Sequence, residues 1–149
     1  MIRSRCASST KDAAEHVMIV DLERNDLSRV CVPGSVRWPE LMATRPLAGV
    51  EHMVSTVEGV LREDVGLSEL LEATFPGGSI TGAPKVRAMQ IIEELEPNRR
   101  GVYCGAIGYA GCDGGMDLNI AIRTLVYAGG AIRFWAGGGI VADSKLDDE

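Results

Sequence analysis

The sequence predicts an α+β fold, and two patterns predict it. Up to about Leu95 the apolar residues recur mostly at helical spacing, whereas beyond Gly101 they form short extended runs joined by Asp113-Gly114-Gly115 and Gly129-Gly130. Turns this tight join adjacent antiparallel strands. At 149 residues, 46% hydrophobic and 24% charged, the chain has the size and composition of one globular domain.

Taken in order, Ser9 is a candidate N-cap with Asp12 three positions later, a variant of the capping box. Ala14, Val17, Met18, Asp21 and Leu22 then carry a helix to about Leu27. Val32-Pro33-Gly34-Ser35 is turn chemistry, and Val36-Arg37-Trp38 is a short extended piece. From Val50 to Arg62 the residues partly alternate as in a strand, and Ser68 to Thr74 reads as a short helix. A glycine-rich loop follows at Pro76–Lys85. Pro84 suits the first position of the next helix, where its missing N–H costs nothing, and Pro97 stops that helix. Strands are expected over Val102–Tyr109, Leu118–Val126 and Ala131–Trp135. Three or four strands seldom complete a sheet of this hydrophobicity, so some are expected to lack neighbours, as in a fragment. There is no internal repeat and no low-complexity segment.

Charge narrows the function. Twenty-one acids against fifteen bases give a net charge of -6, and no basic stripe is present, so a nucleic-acid surface is not expected. The four cysteines contain no CxxC pair, which suits free thiols in a reducing compartment. Met1-Ile2-Arg3-Ser4-Arg5 leads into no apolar h-region, and no apolar run approaches the ~20 residues of a membrane helix. The expectation is a cytoplasmic protein with no membrane partner.

Four features could carry chemistry. Gly77-Gly78-Ser79-Ile80-Thr81-Gly82 offers backbone N–H groups leading into a helix N-terminus, a geometry that binds carboxylates or phosphates. The same residues also suit a tight turn before a capped helix. Gly137-Gly138-Gly139 after a strand lets backbone approach a ligand closely, or serves as a connector. Arg123 stands in an apolar strand pattern, where a buried cation requires either a protein acid or a ligand carboxylate. Asp12 and Glu15 share a helix face that could hold Mg2+ with water, or simply be solvated. His52 alone reads as a packed or surface histidine.

Together these residues closely resemble a known signature. Pro76-Gly77-Gly78-Ser79-Ile80-Thr81-Gly82-Ala83-Pro84-Lys85-Val86-Arg87-Ala88-Met89 is similar to that of the chorismate-binding enzymes, in the form typical of their aminodeoxychorismate synthase component I branch. The resemblance runs from about Ser9 to Glu149, leaving residues 1–8 unmatched. It takes in Val20-Asp21-Leu22-Glu23-Arg24-Asn25-Asp26-Leu27, Arg99-Arg100-Gly101-Val102-Tyr103-Cys104-Gly105, Ile122-Arg123-Thr124 and Ala136-Gly137-Gly138-Gly139-Ile140-Val141-Ala142-Asp143-Ser144.

The resemblance implies the chorismate-binding fold, with antiparallel sheets flanked by helices and incomplete here. It also implies conversion of chorismate and ammonia to 4-amino-4-deoxychorismate, a precursor of 4-aminobenzoate and folate. Mg2+ is the implied cofactor, and a glutamine amidotransferase is the implied partner that supplies the ammonia. By the same resemblance, Glu15, Asp12 and Glu149 are metal ligands, and Tyr103 and Arg123 hold the enolpyruvyl carboxylate. His52 lies beside the ring near the leaving hydroxyl, while Ser79, Gly137 and Gly139 surround the ring carboxylate and metal.

Two departures matter. The family's upstream Pro-Ile-Lys-Gly-Thr, whose lysine is thought to attack the ring, is not in this sequence, and its C-terminal Glu-x-x-Glu reaches only its first member, Glu149. The chain is therefore expected to be a C-terminal segment, truncated at both ends and inactive alone. The anthranilate synthase large component is the alternative within the same chemistry, although its loop usually reads Gly-Thr-Leu-Ser/Thr-Gly-Ala-Pro-Lys. A non-catalytic remnant is the alternative outside it.

Overall fold

Helix α1 runs from Thr10 to Ser28, one residue past the expected end. The computed structural model describes residues 10–48 and 50–138, so the anticipated Ser9 cap lies outside the described residues. The Ser28 hydroxyl donates to the Arg24 carbonyl at 2.7 Å, and the Val30 and Cys31 N–H groups turn back onto Leu27. Cys31 then bridges Leu61, and Ser35 closes the expected turn by donating to Val32 and accepting from Val60 N–H.

Strand β1 (Arg37–Leu47) pairs antiparallel with β2 (Val50–Glu58). The sequence predicted only Val36–Trp38 of the first strand. Its pattern is hidden by two register shifts, by Pro39 and Pro46, and by Met42 at φ +53°. Both strands of a two-stranded sheet are edges, where proline is tolerated. The second strand ends at Glu58, short of the expected Arg62, because Gly59 passes directly under a buried thiol. A Cβ there would sit 2.7 Å from Cys31 Sγ. Helix α2 (Leu67–Thr74) starts one residue early, with the Glu69 carboxylate accepting the Gly66 N–H at 3.0 Å.

Val30, Cys31 and Ala73 form a small core, packed by Leu27, Val36, Val65 and Leu70. Burial pushes the Cys31 thiol up, with Arg62 pulling partly the other way. Cys104 is likewise raised by burial, while Cys112 is exposed. A thiolate is the reactive form, so Cys112 is expected to label with a disulfide reagent at neutral pH well before Cys31 or Cys104. Peptide mapping checks this, and labelling of all three at one rate would contradict it.

The chain divides into two compact units, Met1–Ser79 and Ile80–Glu149. The short helix α3 (Gly78–Thr81) falls at the division. In the second unit, α4 spans Lys85–Leu95. Pro84, with ψ 134°, is extended and caps this helix instead of beginning it. Glu96 N–H closes the far end on Ile92.

Strands β3 (Ala106–Ala110) and β4 (Met116–Ile120) form the hairpin expected at Asp113-Gly114-Gly115, with Gly115 N–H bonded to Asp113 Oδ1 at 3.0 Å. The first of these strands starts four residues later than predicted, because Gly101 and Cys104 take positive φ and turn the preceding segment. The predicted Leu118–Val126 strand is broken: β5 is Leu125–Ala128, pairing with β6 (Ala131–Phe134) across Gly129-Gly130. The break lies at Arg123, whose φ of +52° takes the backbone out of the extended region.

Among the described residues, each of the three sheets has two strands. On the last hairpin the register puts Leu125, Tyr127, Ile132 and Phe134 on one face, each more than half exposed. Among the described residues, no helix is long and apolar enough to cross a membrane.

Candidate carboxylate site

The second unit gathers three of the expected substrate-binding positions. Tyr103 sits in the turn before β3, its N–H bonded to the Arg100 carbonyl at 3.0 Å. Cys104 N–H donates to the Ala121 carbonyl, and Ala121 N–H donates back to Gly105. These bonds run the Tyr103 segment alongside the bend that carries Arg123. From the other direction, a Cβ added to Gly137 would lie 3.2 Å from Tyr103 Oη, so the glycine lets backbone come close to the phenol. Trp135, two residues earlier, stacks on Tyr103 with ring centroids 6.4 Å apart and planes 11° from parallel. Gly139 lies outside the described residues.

Burial, foremost, raises the Tyr103 phenol above its ordinary value. At neutral pH it is therefore a protonated donor, which is what a carboxylate requires. Arg123 differs from its sequence reading. It is exposed, not buried in an apolar strand, so no buried countercharge is needed. Its bend is fixed by Ile122 N–H on the Ile120 carbonyl and the Thr124 hydroxyl on the Ile122 carbonyl, both at 2.9 Å. A non-glycine residue held in the left-handed region costs about 1–2 kcal/mol. Here that conformation keeps the residue out of the strand pairs on either side of it.

The first unit carries the remaining positions. Ser79 is exposed on α3, but Gly77 and Gly78 are buried. A Cβ on Gly78 would lie 3.0 Å from Leu22 Cβ, so this glycine serves close packing on α1 as much as an open cradle. Glu15 is half-buried on α1, and His52 is exposed on β2 opposite Arg45. Nothing in the local pattern marks His16, which pairs through Nε2 with the Ser55 hydroxyl at 2.7 Å while that hydroxyl accepts the Met42 N–H at 2.9 Å. This tie fastens α1 to the kink in β1.

Mg2+ normally takes six oxygens, often one or two of them carboxylates. Among the described residues, no three of His, Cys, Asp or Glu come together. Of the three implied ligands, only the Glu15 side chain is described, and Glu149 lies outside the described residues, as does the side chain of Asp12.

The sequence pattern does not single out Arg100 and Trp135 as site residues either. The first stands four residues after Glu96 in a terminating helical turn, a spacing that marks an ion pair. The second follows an apolar strand run and is indistinguishable there from a packing residue.

Comparison with known proteins adds four findings. The model of the chorismate binding enzyme family matches residues 2–149. Aminodeoxychorismate synthase component 1 of Escherichia coli (strain K12) is 57% identical over 145 residues, covering 97% of this chain and 32% of that protein. Anthranilate synthase component 1 of Aquifex aeolicus (strain VF5) is 54% identical over 142 residues, covering 95% of this chain and 29% of the relative. The crystal structure of anthranilate synthase component I from Streptococcus pneumoniae TIGR4 superimposes with a TM-score of 0.87 at 44% identity, over 97% of this chain and 33% of that one. The chain thus spans about a third of the length of the proteins it matches.

Proposed function

The chain belongs to the family of chorismate binding enzymes, and from that membership we propose that it forms the carboxylate-holding part of an enzyme that aminates chorismate at ring carbon C4. In that reaction a C–N bond forms to ammonia as the C4–O bond breaks, and the oxygen leaves as water. The observation that supports this most is the meeting of Tyr103 with Gly137 beside the Arg123 bend. The phenol donates one hydrogen bond to a substrate carboxylate, and the planar guanidinium of Arg123 supplies a two-pronged one. Gly137 leaves the space in which that carboxylate lies against backbone.

The rest of the reading is carried by position alone. His52 stands near the leaving hydroxyl and Ser79 near the ring carboxylate. Mg2+ is the proposed cofactor, bound through Glu15 with Asp12 and Glu149, and would supply Lewis acidity and orientation. A glutamine amidotransferase provides the ammonia, and the free thiols of Cys31, Cys104 and Cys112 suit a reducing cytoplasm. Because the chain spans about a third of the length of its relatives, the 149 residues alone are expected to bind chorismate without turning it over.

Amination at C4 is favoured by the Gly77-Gly78-Ser79-Ile80-Thr81 loop and by the relative in Escherichia coli. An anthranilate-forming reaction is the second reading, favoured by the superposition on an anthranilate synthase. Equilibrium dialysis against chorismate, followed by incubation with Mg2+ and ammonium and chromatography of the products, tests both. Binding without product is the expected result, and a trace of 4-amino-4-deoxychorismate would still support C4 amination. Anthranilate would support the second reading, and failure to bind chorismate would sink both.

A further inference from the structure

Arg100 has no part in the site as described, yet its guanidinium joins three pieces of the second unit. Nε and Nη2 grip the Glu96 carboxylate at the end of α4, with contacts of 2.6 to 3.1 Å. Nη1 donates to the Ile80 carbonyl, in the short α3 that precedes that helix, at 3.2 Å. The guanidinium carbon also lies 5.7 Å from the centre of the Tyr103 ring. The side chain is only 22% exposed, and all three of its nitrogens are engaged within the chain. Its charge is matched by Glu96, so it is not a free anchor for a substrate carboxylate.

We infer that Arg100 is the positioning residue of Tyr103: it ties Ile80 of α3 and the end of α4 to the Tyr103 ring and so sets the phenol hydroxyl beside Gly137. The role requires arginine. A planar fork can hold Glu96 with one edge, reach a carbonyl with the other and still approach an aromatic ring. A lysine ammonium keeps the charge but is a point donor that cannot span these partners together. The Tyr103–Arg100 backbone bond folds the intervening turn so that the two side chains meet. The inference rests on the proposal that Tyr103 donates to a chorismate carboxylate, but the placement of the ring can be read without substrate.

The chain supplies its own reporter for the test. Its two tryptophans are Trp38 and Trp135, so Trp38→Phe leaves only the one stacked on Tyr103. In that background Arg100→Lys and Arg100→Ala are expected to alter Trp135 emission and the near-UV circular dichroism. They are also expected to weaken chorismate binding about tenfold or more, with the far-UV spectrum unchanged. Glu96→Gln should shift both readouts in the same direction, and it decides the matter if Arg100→Ala fails to fold. In a Tyr103→Phe chain, Arg100→Lys should cost no further affinity, because the hydroxyl it places is gone. Additive losses there, or Arg100 variants with parental Trp135 signal and affinity, would overturn the inference. If the parent binds no chorismate, the functional reading fails and the Trp135 signal alone decides: altered in Arg100→Lys it supports the tie, unaltered it refutes it.

Discussion

Gly108→Ala is expected to be among the most destabilising single substitutions in the second unit. A Cβ at this position in β3 would run into the Asp117 carbonyl oxygen of β4 and lie 2.8 Å from Leu118 Cα. Both obstacles are backbone, so no side chain can swing aside; the hairpin must separate or slip register. Overpacking of this kind costs about 3 kcal/mol. Gly111→Ala is the informative comparison, because its new Cβ meets the Asp113 carboxylate, which can rotate away. In urea melts followed by far-UV circular dichroism, the midpoint should fall sharply for Gly108→Ala and only slightly for Gly111→Ala. Equal midpoints would show that the two strands are not so closely apposed at Gly108.

The second large effect is on ligand binding. Arg123→Ala is expected to weaken chorismate binding about 30- to 150-fold, the equivalent of about 2–3 kcal/mol for a charge-assisted hydrogen bond. Its fold should hold, since Arg123 is exposed and has no hydrogen-bond or ion-pair partner among the described residues. The φ of +52° sharpens the test. Arg123→Gly relieves the left-handed strain and should raise the melting temperature while losing affinity as Arg123→Ala does. Stability and binding would then move in opposite directions, which a general loosening of the fold cannot produce. Arg87→Ala, on the exposed surface of α4, should leave affinity unchanged. An Arg123→Ala chain that binds as well as Arg87→Ala would remove Arg123 from the site.

What could be read from the sequence follows physical locality. Helices α1, α2 and α4 were placed to within a residue or two by apolar spacing and terminating prolines or turns. The two C-terminal hairpins were marked by glycines that adopt positive φ, Gly114, Gly129 and Gly130. Strand β1 was mostly missed because Pro39, Pro46 and the Met42 kink erase alternation, and Ser55 and His16 steady that kink from residues distant in sequence. Arg123 was misplaced for a related reason. Asn119 to Leu125 is apolar enough to read as one strand, and only the backbone bonds of Ile122 and Thr124 disclose the bend. The motif around Gly77 was legible as a motif, yet its packing against Leu22 was not, because a glycine's neighbours leave no trace in its own sequence. Tyr103 and Gly137 could be named from family resemblance alone, whereas their apposition required the fold.

The three separate hairpins also bear on how quickly the chain folds. Among the described residues, every strand pairs with the strand next to it in sequence, across loops of a few residues. Closing such short loops carries little entropic penalty, and topologies dominated by local contacts cross their folding barriers fast. Hairpins of this kind form in microseconds. The search for strand partners is therefore not expected to limit the folding of these hairpins.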